Sequence, residues 1–379
     1  MRFALPLAGL LLAACGPPAL VTEREWELLS DLRWVPTGPD QPANARGNAV
    51  WDSPDAAELG RRFYFDPGLS STGEVSCNTC HDAADSGADP GVAFSVGADG
   101  VAVRNTPTLY NAGRRRAYGW IAPLTVELWR QNRKPLLGPF HGATQEGLAT
   151  HVCDVYADDY ARVFGRPCVP TLADPDHGTP EAPELLVVND LARALDSYIR
   201  TLESSDSDFD RFVGESYDAL DPSCLTESAI RGAKLYVGRP SCLACHNGPT
   251  LSNGDMYIIG VGSGPDADVA YQTPPLRHVG LTGPFMHDGS FDSLWEVLAF
   301  YRDGGNARGG PDRAVQIAPL LLDDQDLVDL GSFLESLQGA PLPYCWVNDD
   351  EVCCDGAAER AGRPASCDAH FDPPPRSCP

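Results

Sequence analysis

Apolar side chains between residues 182 and 202 recur at the helical period. Leu185, Leu186, Val188, Leu191, Leu195, Tyr198, Ile199 and Leu202 share one face, which predicts an amphipathic helix with a buried stripe. The same reading predicts a helix over 55–65, begun by Asp55 and stopped by Asp66-Pro67-Gly68. Further helices are predicted over 123–135 and over 226–242, where Ala229, Ile230, Ala233, Leu235 and Tyr236 align. Another spans 290–301, begun by Ser290 or Asp292, with Leu294, Val297, Leu298 and Tyr301 inward. A last one spans 320–338 and is ended by Pro341 and Pro343. Near the start, Thr22 followed by Glu25 is a capping-box signature for a short helix over 22–32. Residues 82–103 and 247–275 are Gly-rich loops, and no segment alternates strongly with the period of a strand. With 37 Gly and 34 Pro in 379 residues, the expectation is a mostly α fold with long irregular connections.

The pattern occurs twice. Gly60-Arg61-Arg62-Phe63-Tyr64 precedes Cys77 much as Gly232-Ala233-Lys234-Leu235-Tyr236 precedes Cys242. Arg104-Asn105-Thr106-Pro107-Thr108-Leu109 is echoed by Gln272-Thr273-Pro274-Pro275-Leu276-Arg277. Each half runs helix, Cys-x-x-Cys-His, Gly-rich loop, Pro-containing hinge, helices. This divides the chain into domains over 51–210 and 211–343, with a tether over 15–50 and a Cys-rich tail over 344–379.

The first 14 residues change the setting. Arg2, an apolar run over 3–14 and the close Leu12-Ala13-Ala14-Cys15 form an export signal of lipoprotein type, with Cys15 as the lipidated residue. An ordinary signal peptide cleaved near Gly16 is the alternative. Both lead to the periplasm or cell envelope. The formal net charge of −25 disfavours nucleic acid and anionic membrane faces, and either suits a basic protein partner or serves solubility alone. Of the 13 Cys, Cys15 goes to lipid and four belong to the motifs below. The even remainder, Cys153, Cys168, Cys224, Cys345, Cys353, Cys354, Cys367 and Cys378, reads as disulfides in an exported chain, with Cys153 and Cys168 bracketing one local segment.

Cys77-Asn78-Thr79-Cys80-His81 and Cys242-Leu243-Ala244-Cys245-His246 carry the chemistry. Two thiols separated by two residues reach the two vinyl groups on one porphyrin edge, and the adjacent His reaches the iron. Two such motifs in an exported helical repeat imply two covalently attached haems c. A Met or His on the far side of an iron makes an electron carrier, whereas an open side admits peroxide. Residue type and spacing do not decide between these.

The motifs resemble those of the bacterial di-haem cytochrome c peroxidases, and especially the MauG-like branch. The resemblance runs from about Phe63 to Leu337. It is carried by Phe65-Asp66-Pro67-Gly68-Leu69-Ser70, Arg104-Asn105-Thr106-Pro107-Thr108, and the run from Pro275 through Gly283-Pro284-Phe285-Met286-His287-Asp288-Gly289 to Ser290. It implies two tandem cytochrome c-like domains, a peroxidatic haem on His81, and an electron-receiving haem on His246. It implies that Trp120 bridges the haems, and that Asn105, Thr282 and Pro284 hold a calcium ion through amide and carbonyl oxygens. At the place of the second haem's sixth ligand stands Tyr301, as in the MauG-like branch; Met256 and Met286 are rival ligands. The loop near Gly97 lacks the His that caps the first haem in other members.

The peroxide pocket departs from the family. Gln131 aligns with a distal Gln, but His141 stands where the family has a catalytic Glu. A neutral imidazole can move a proton near pH 7, can bind iron as a sixth ligand, or can do neither, and the residues leave these open. Arg114, Arg115 and Arg116 can pair with haem propionates or face solvent, solvent being the default. The implied function is a peroxidase reducing hydrogen peroxide with electrons from an external donor. The alternatives are a MauG-like oxidase acting on a protein or organic substrate, and a non-catalytic envelope electron carrier. Monomer and homodimer both remain open.

Overall fold

The computed structural model describes residues 20–35, 42–101, 104–180, 182–238, 242–262, 264–305, 317–342 and 344–348. The export signal, Cys15 and the tail from 349 onward lie outside the described residues.

The described chain is mostly helical, with three short antiparallel hairpins. Its helices are α1 (Glu23–Ser30), α2 (Pro54–Phe65), α3 (Cys77–Cys80), α4 (Leu128–Leu137), α5 (Gln145–Val155), α6 (Ala157–Phe164), α7 (Leu186–Ile199) and α8 (Asp208–Val213). They continue with α9 (Glu227–Gly238), α10 (Cys242–Cys245), α11 (Leu294–Arg302), α12 (Asp324–Glu335) and α13 (Tyr344–Val347). The hairpins pair β1 (Val96–Gly97) with β2 (Gly100–Val101), β3 (Ala173–Gly178) with β4 (Pro183–Leu185), and β5 (Met256–Tyr257) with β6 (Tyr271–Gln272).

Two helix crossings organise two lobes. In the first, α2 lies against α7, and Leu59, Phe63, Tyr64, Leu191 and Leu195 are buried together with Leu128 of α4 and Leu148 of α5. In the second, α9 lies against α12, with Ile230, Ala233, Tyr236, Leu330 and Phe333 buried beside Phe209 and Phe212 of α8. The repeated glycines explain the crossings. A Cβ at Gly60 would stand 1.9 Å from the carbonyl oxygen of Ala194, and one at Gly232 would stand 1.9 Å from that of Asp329. In both lobes the backbones approach more closely than any side chain permits.

The structure corrects several expectations. In its described part, the segment 15–50 is not a tether. Leu29 is 0% and Leu32 1% exposed within the second lobe, and Trp26 Nε1 donates to the Val213 carbonyl at 2.9 Å. Asn48 is buried against the first lobe, donating to Asp196 at 2.9 Å. The described residues form a packed strap, with a bend at Gly47 (φ 77°), and the Thr22–Glu25 capping box does begin α1. Helix α2 starts at Ser53, which accepts from Ala56 N at 3.3 Å, rather than at Asp55, because Pro54 fits the first helical position. Helix α4 starts at Leu128 instead of 123, since Tyr118 and Thr125 pair as a bridge first. Helix α11 is capped by Ser293 with Glu296, not by Ser290 or Asp292. Helices α5 and α6 were not predicted, and Cys153 of α5 is disulfide-bonded to Cys168 beyond α6.

Candidate functional site

Each Cys-x-x-Cys forms one helical turn, α3 or α10, so that its thiols at i and i+3 lie on the same side. The turns close through His81 N donating to Cys77 O at 3.0 Å and His246 N donating to Cys242 O at 2.8 Å. Tyr64 OH donates to the His81 carbonyl and Tyr236 OH to the His246 carbonyl, so the repeat seen in the sequence is also a repeat of contacts. His81 Nδ1 lies 3.2 Å from Gly87 O, and His246 Nδ1 lies 3.0 Å from Leu251 O. A carbonyl holds Nδ1 in the protonated form and leaves Nε2 with its lone pair, as a metal-ligating imidazole requires. Burial pushes both imidazoles down to about 4, so both rings are neutral at pH 7. The four thiols are free, and burial raises all four.

Above α3 opens a cavity of about 460 Å³. It is lined by Cys77, Cys80 and His81, by apolar Leu128, Leu195 and Ile199, and by Trp120, Gln131 and His141. Trp120, Gln131 and His141, all from one stretch of the chain, thus share this cavity with the first motif. Gln131 Oε1 and His141 Nδ1 are buried with no hydrogen-bond partner among the described residues. Unsatisfied polar atoms in such a place fit a polar occupant. The cavity size, the paired thiols and the oriented imidazole fit a haem.

His141 is 4% exposed and held from several sides. Ser71 N donates to its carbonyl at 2.8 Å, and its own N–H donates to Pro135 O at 3.2 Å. The β1–β2 turn packs on the preceding residues, with Ala98 N donating to Phe140 O at 2.8 Å and Asp99 N to Pro139 O at 3.0 Å. A Cβ at Gly97 would come within 2.7 Å of the Phe140 backbone, which accounts for a glycine there. Burial pushes the His141 imidazole below its ordinary value.

Trp120 links the lobes. Its Nε1 donates to Asn105 O at 2.8 Å, and its carbonyl accepts from Gln272 N of β6 at 2.9 Å. The seam continues beside it. Asn105 N donates to His287 O at 2.8 Å, Asn105 Nδ2 donates to Val92 O at 3.2 Å, and Gly91 N donates to Gly283 O at 2.8 Å. Asn105, Thr282 and Pro284 therefore lie along one seam. Among the described residues no group of three or more His, Cys, Asp or Glu could hold a metal ion, and this seam offers amide and carbonyl oxygens instead.

At the second motif, the Tyr301 phenol on α11 is pushed up by burial and then by the neighbouring thiols of Cys245 and Cys242, which places it beside that motif. Met256 lies in β5, and Met286 sits in the loop at φ 72°.

Two features were missed in the sequence. Solvent is the right default for Arg116 alone: Arg114 pairs with Glu203 at 3.3 Å, and Arg115, half-buried, lines the cavity. Three consecutive cations in so acidic a chain were the available signal. The second feature is a network on the seam. Asp266 accepts from Arg104 at 2.9 Å and Tyr271 OH at 2.7 Å, and its other oxygen lies 3.0 Å from His287 Nε2. Nothing in the spacing of these residues announced it.

Residues 54–218 match the model of the di-haem cytochrome c peroxidase family. The chain is 29% identical over 320 residues to the methylamine utilization protein MauG of Methylorubrum extorquens, covering 80% of this chain and 83% of that protein. It is 28% identical over 358 residues to the cytochrome c551 peroxidase of Pseudomonas aeruginosa, covering 88% and 92%. Among solved structures, a MauG-like protein associated with microbial copper homeostasis matches with a TM-score of 0.63 at 25% identity, over 83% of this chain and 98% of that one.

Proposed function

We propose that the chain is an oxidoreductase of the bacterial di-haem cytochrome c peroxidase and MauG-like family, and that it reduces hydrogen peroxide with electrons from an external donor. The observation that carries the reading is the cavity at His81, where Trp120, Gln131 and His141 converge and two buried polar atoms lack partners. Haem, held at Cys77 and Cys80 with His81 and at Cys242 and Cys245 with His246, supplies the redox-active iron for electron uptake and O–O cleavage.

The chain's own residues do the rest. Gln131 Oε1 accepts a hydrogen bond from peroxide and orients it. His141, neutral because it is buried, takes the proton from one oxygen at Nδ1 and returns it to the departing one. Trp120, fixed to both lobes, offers an aromatic path between the two centres. Asn105, Thr282 and Pro284 hold a calcium ion at the seam and so fix the lobes relative to each other. The lobes are cytochrome c-like domains, and electrons enter at the His246 side from a small basic cytochrome or cupredoxin. The protein works in the periplasm or cell envelope, anchored by lipid at Cys15. No helix of the described residues is long and apolar enough to cross a membrane.

The test is peroxide-dependent oxidation of a reduced donor, measured on protein carrying two haems. His141→Leu lowers turnover by about 10²–10⁴-fold, the usual contribution of a positioned acid–base group. Gln131→Leu lowers it by a smaller factor. Unchanged turnover in His141→Leu removes the assigned proton path.

Tyr301 supports a second reading, a MauG-like oxidase drawing electrons from a protein or organic substrate. A phenolate ligand stabilises ferric iron and higher oxidation states. Tyr301→Phe then changes the spectrum of the His246-side haem, and an unchanged spectrum excludes the ligand.

A further inference from the structure

We propose that Arg115 is the counter-charge for a propionate of the haem carried by His81, an inference that rests on reading the cavity as a haem site. The cavity wall has an unusual charge balance. It includes Arg104, Arg114, Arg115, Arg116 and Lys134 and not one Asp or Glu, although the chain holds 53 acidic residues against 28 basic ones. A wall with cations alone, in so acidic a molecule, is built for an occupant that brings its own negative charge. Haem brings two carboxylates.

Two of the five cations are already matched away from the cavity. Arg104 pairs with Asp266 at 2.9 Å, and Arg114 pairs with Glu203 at 3.3 Å. Arg116 and Lys134 are exposed, so water solvates them. Arg115 differs from all four in being neither exposed nor paired with a carboxylate among the described residues. Its Nη2 donates to the Thr108 carbonyl, and its Nε is buried with no partner among the described residues. Burial draws its guanidinium down to about 10, and the group that acts against this is the Tyr118 phenol, not a carboxylate. A guanidinium removed from water without a counter-ion is costly, and an anion within reach repays that cost. The planar fork of donors suits a carboxylate. Arg115 borders the cavity.

A cation next to a haem favours the reduced state, because reduction adds an electron to its neighbour. The experiment uses full-length protein matured in an exporting host. Haem is counted first, and fewer than two haems per chain would overturn the underlying haem assignment rather than this one. The two midpoint potentials are then separated by spectropotentiometry. In Arg115→Gln the potential of the His81-side haem falls and that of the other stays. Arg115→Lys restores most of the fall. Arg24→Gln, the same charge change at an exposed site on α1, moves neither. Two haems with both potentials unchanged in Arg115→Gln overturn the proposal. If Arg115→Gln does not mature, the propionate bending band in the resonance Raman spectrum of Arg115→Lys decides. That variant keeps the charge but loses the fork, so a shifted band supports the pairing and an unshifted one overturns it.

Discussion

Replacing Arg277 with Met tests how the second lobe is tied together. Arg277 and Asp210 are 2% and 8% exposed. The guanidinium gives Asp210 two charged hydrogen bonds, Nη1 to Oδ2 at 2.6 Å and Nη2 to Oδ1 at 2.9 Å. It also donates to Leu32 O at 2.7 Å and to Pro249 O at 3.0 Å, joining the N-terminal strap to the loop that follows His246. Met fills similar volume but supplies no donor. Breaking a buried pair from one side costs about 3–5 kcal/mol. Asp210 keeps three other donors, Trp34 N at 2.8 Å, Ser207 N at 3.1 Å and Ser207 Oγ at 2.7 Å, which places the expectation at the lower end, about 3 kcal/mol. With a urea slope of about 2 kcal/mol per molar, the unfolding midpoint falls by about 1.5 M.

The acid dependence follows from Asp210. Burial alone would raise its carboxyl, but the Arg277 charge, the Arg277 and Ser207 hydrogen bonds and the Trp34 amide hold it below the ordinary value. A carboxyl depressed in the folded state contributes stability above its unfolded pKa, and that contribution is lost as pH falls through the folded value. The deficit of Arg277→Met is therefore full at neutral pH and shrinks in acid, where the wild type loses the same contribution. Neutralising the stranded partner, as Asp210→Asn in the Arg277→Met background, recovers part of the loss. A deficit under about 1 kcal/mol, or a double variant no more stable than Arg277→Met, refutes the reasoning.

Gly60→Ala and Gly232→Ala each place a methyl group 1.9 Å from a carbonyl oxygen of the facing helix, and a backbone cannot yield as a side chain does. Each should cost at least about 1–3 kcal/mol in thermal unfolding, with the Soret dichroism of the haem in the affected lobe lost first. Replacing both Cys153 and Cys168 by Ser opens a bridge with a sequence separation of 15, which should lower stability by about 3 kcal/mol in urea while leaving the haem count at two.

The sequence by itself determined what depends on short spacings. Two thiols and a His within five residues are close in space whatever the rest of the chain does. The apolar stripe of α7, the capping box of α1 and the echo of Gly60 in Gly232 are also local, because helical geometry converts fixed intervals into fixed faces. The cavity was only partly visible: Trp120, Gln131 and His141 were placed by resemblance, and that they line one space with Cys77, Cys80 and His81 is a matter of the fold. Arg115 shows the limit most clearly. Its two neighbours in the run have the same side chain and also border the cavity, yet Arg114 pairs with Glu203, Arg116 is exposed, and Arg115 meets no carboxylate among the described residues. The same holds for residues 20–35, whose capping box marks a short helix but carries no sign that it docks on the second lobe. Burial and charge pairing are set by which surfaces meet across the fold, and a linear spacing carries no record of those meetings.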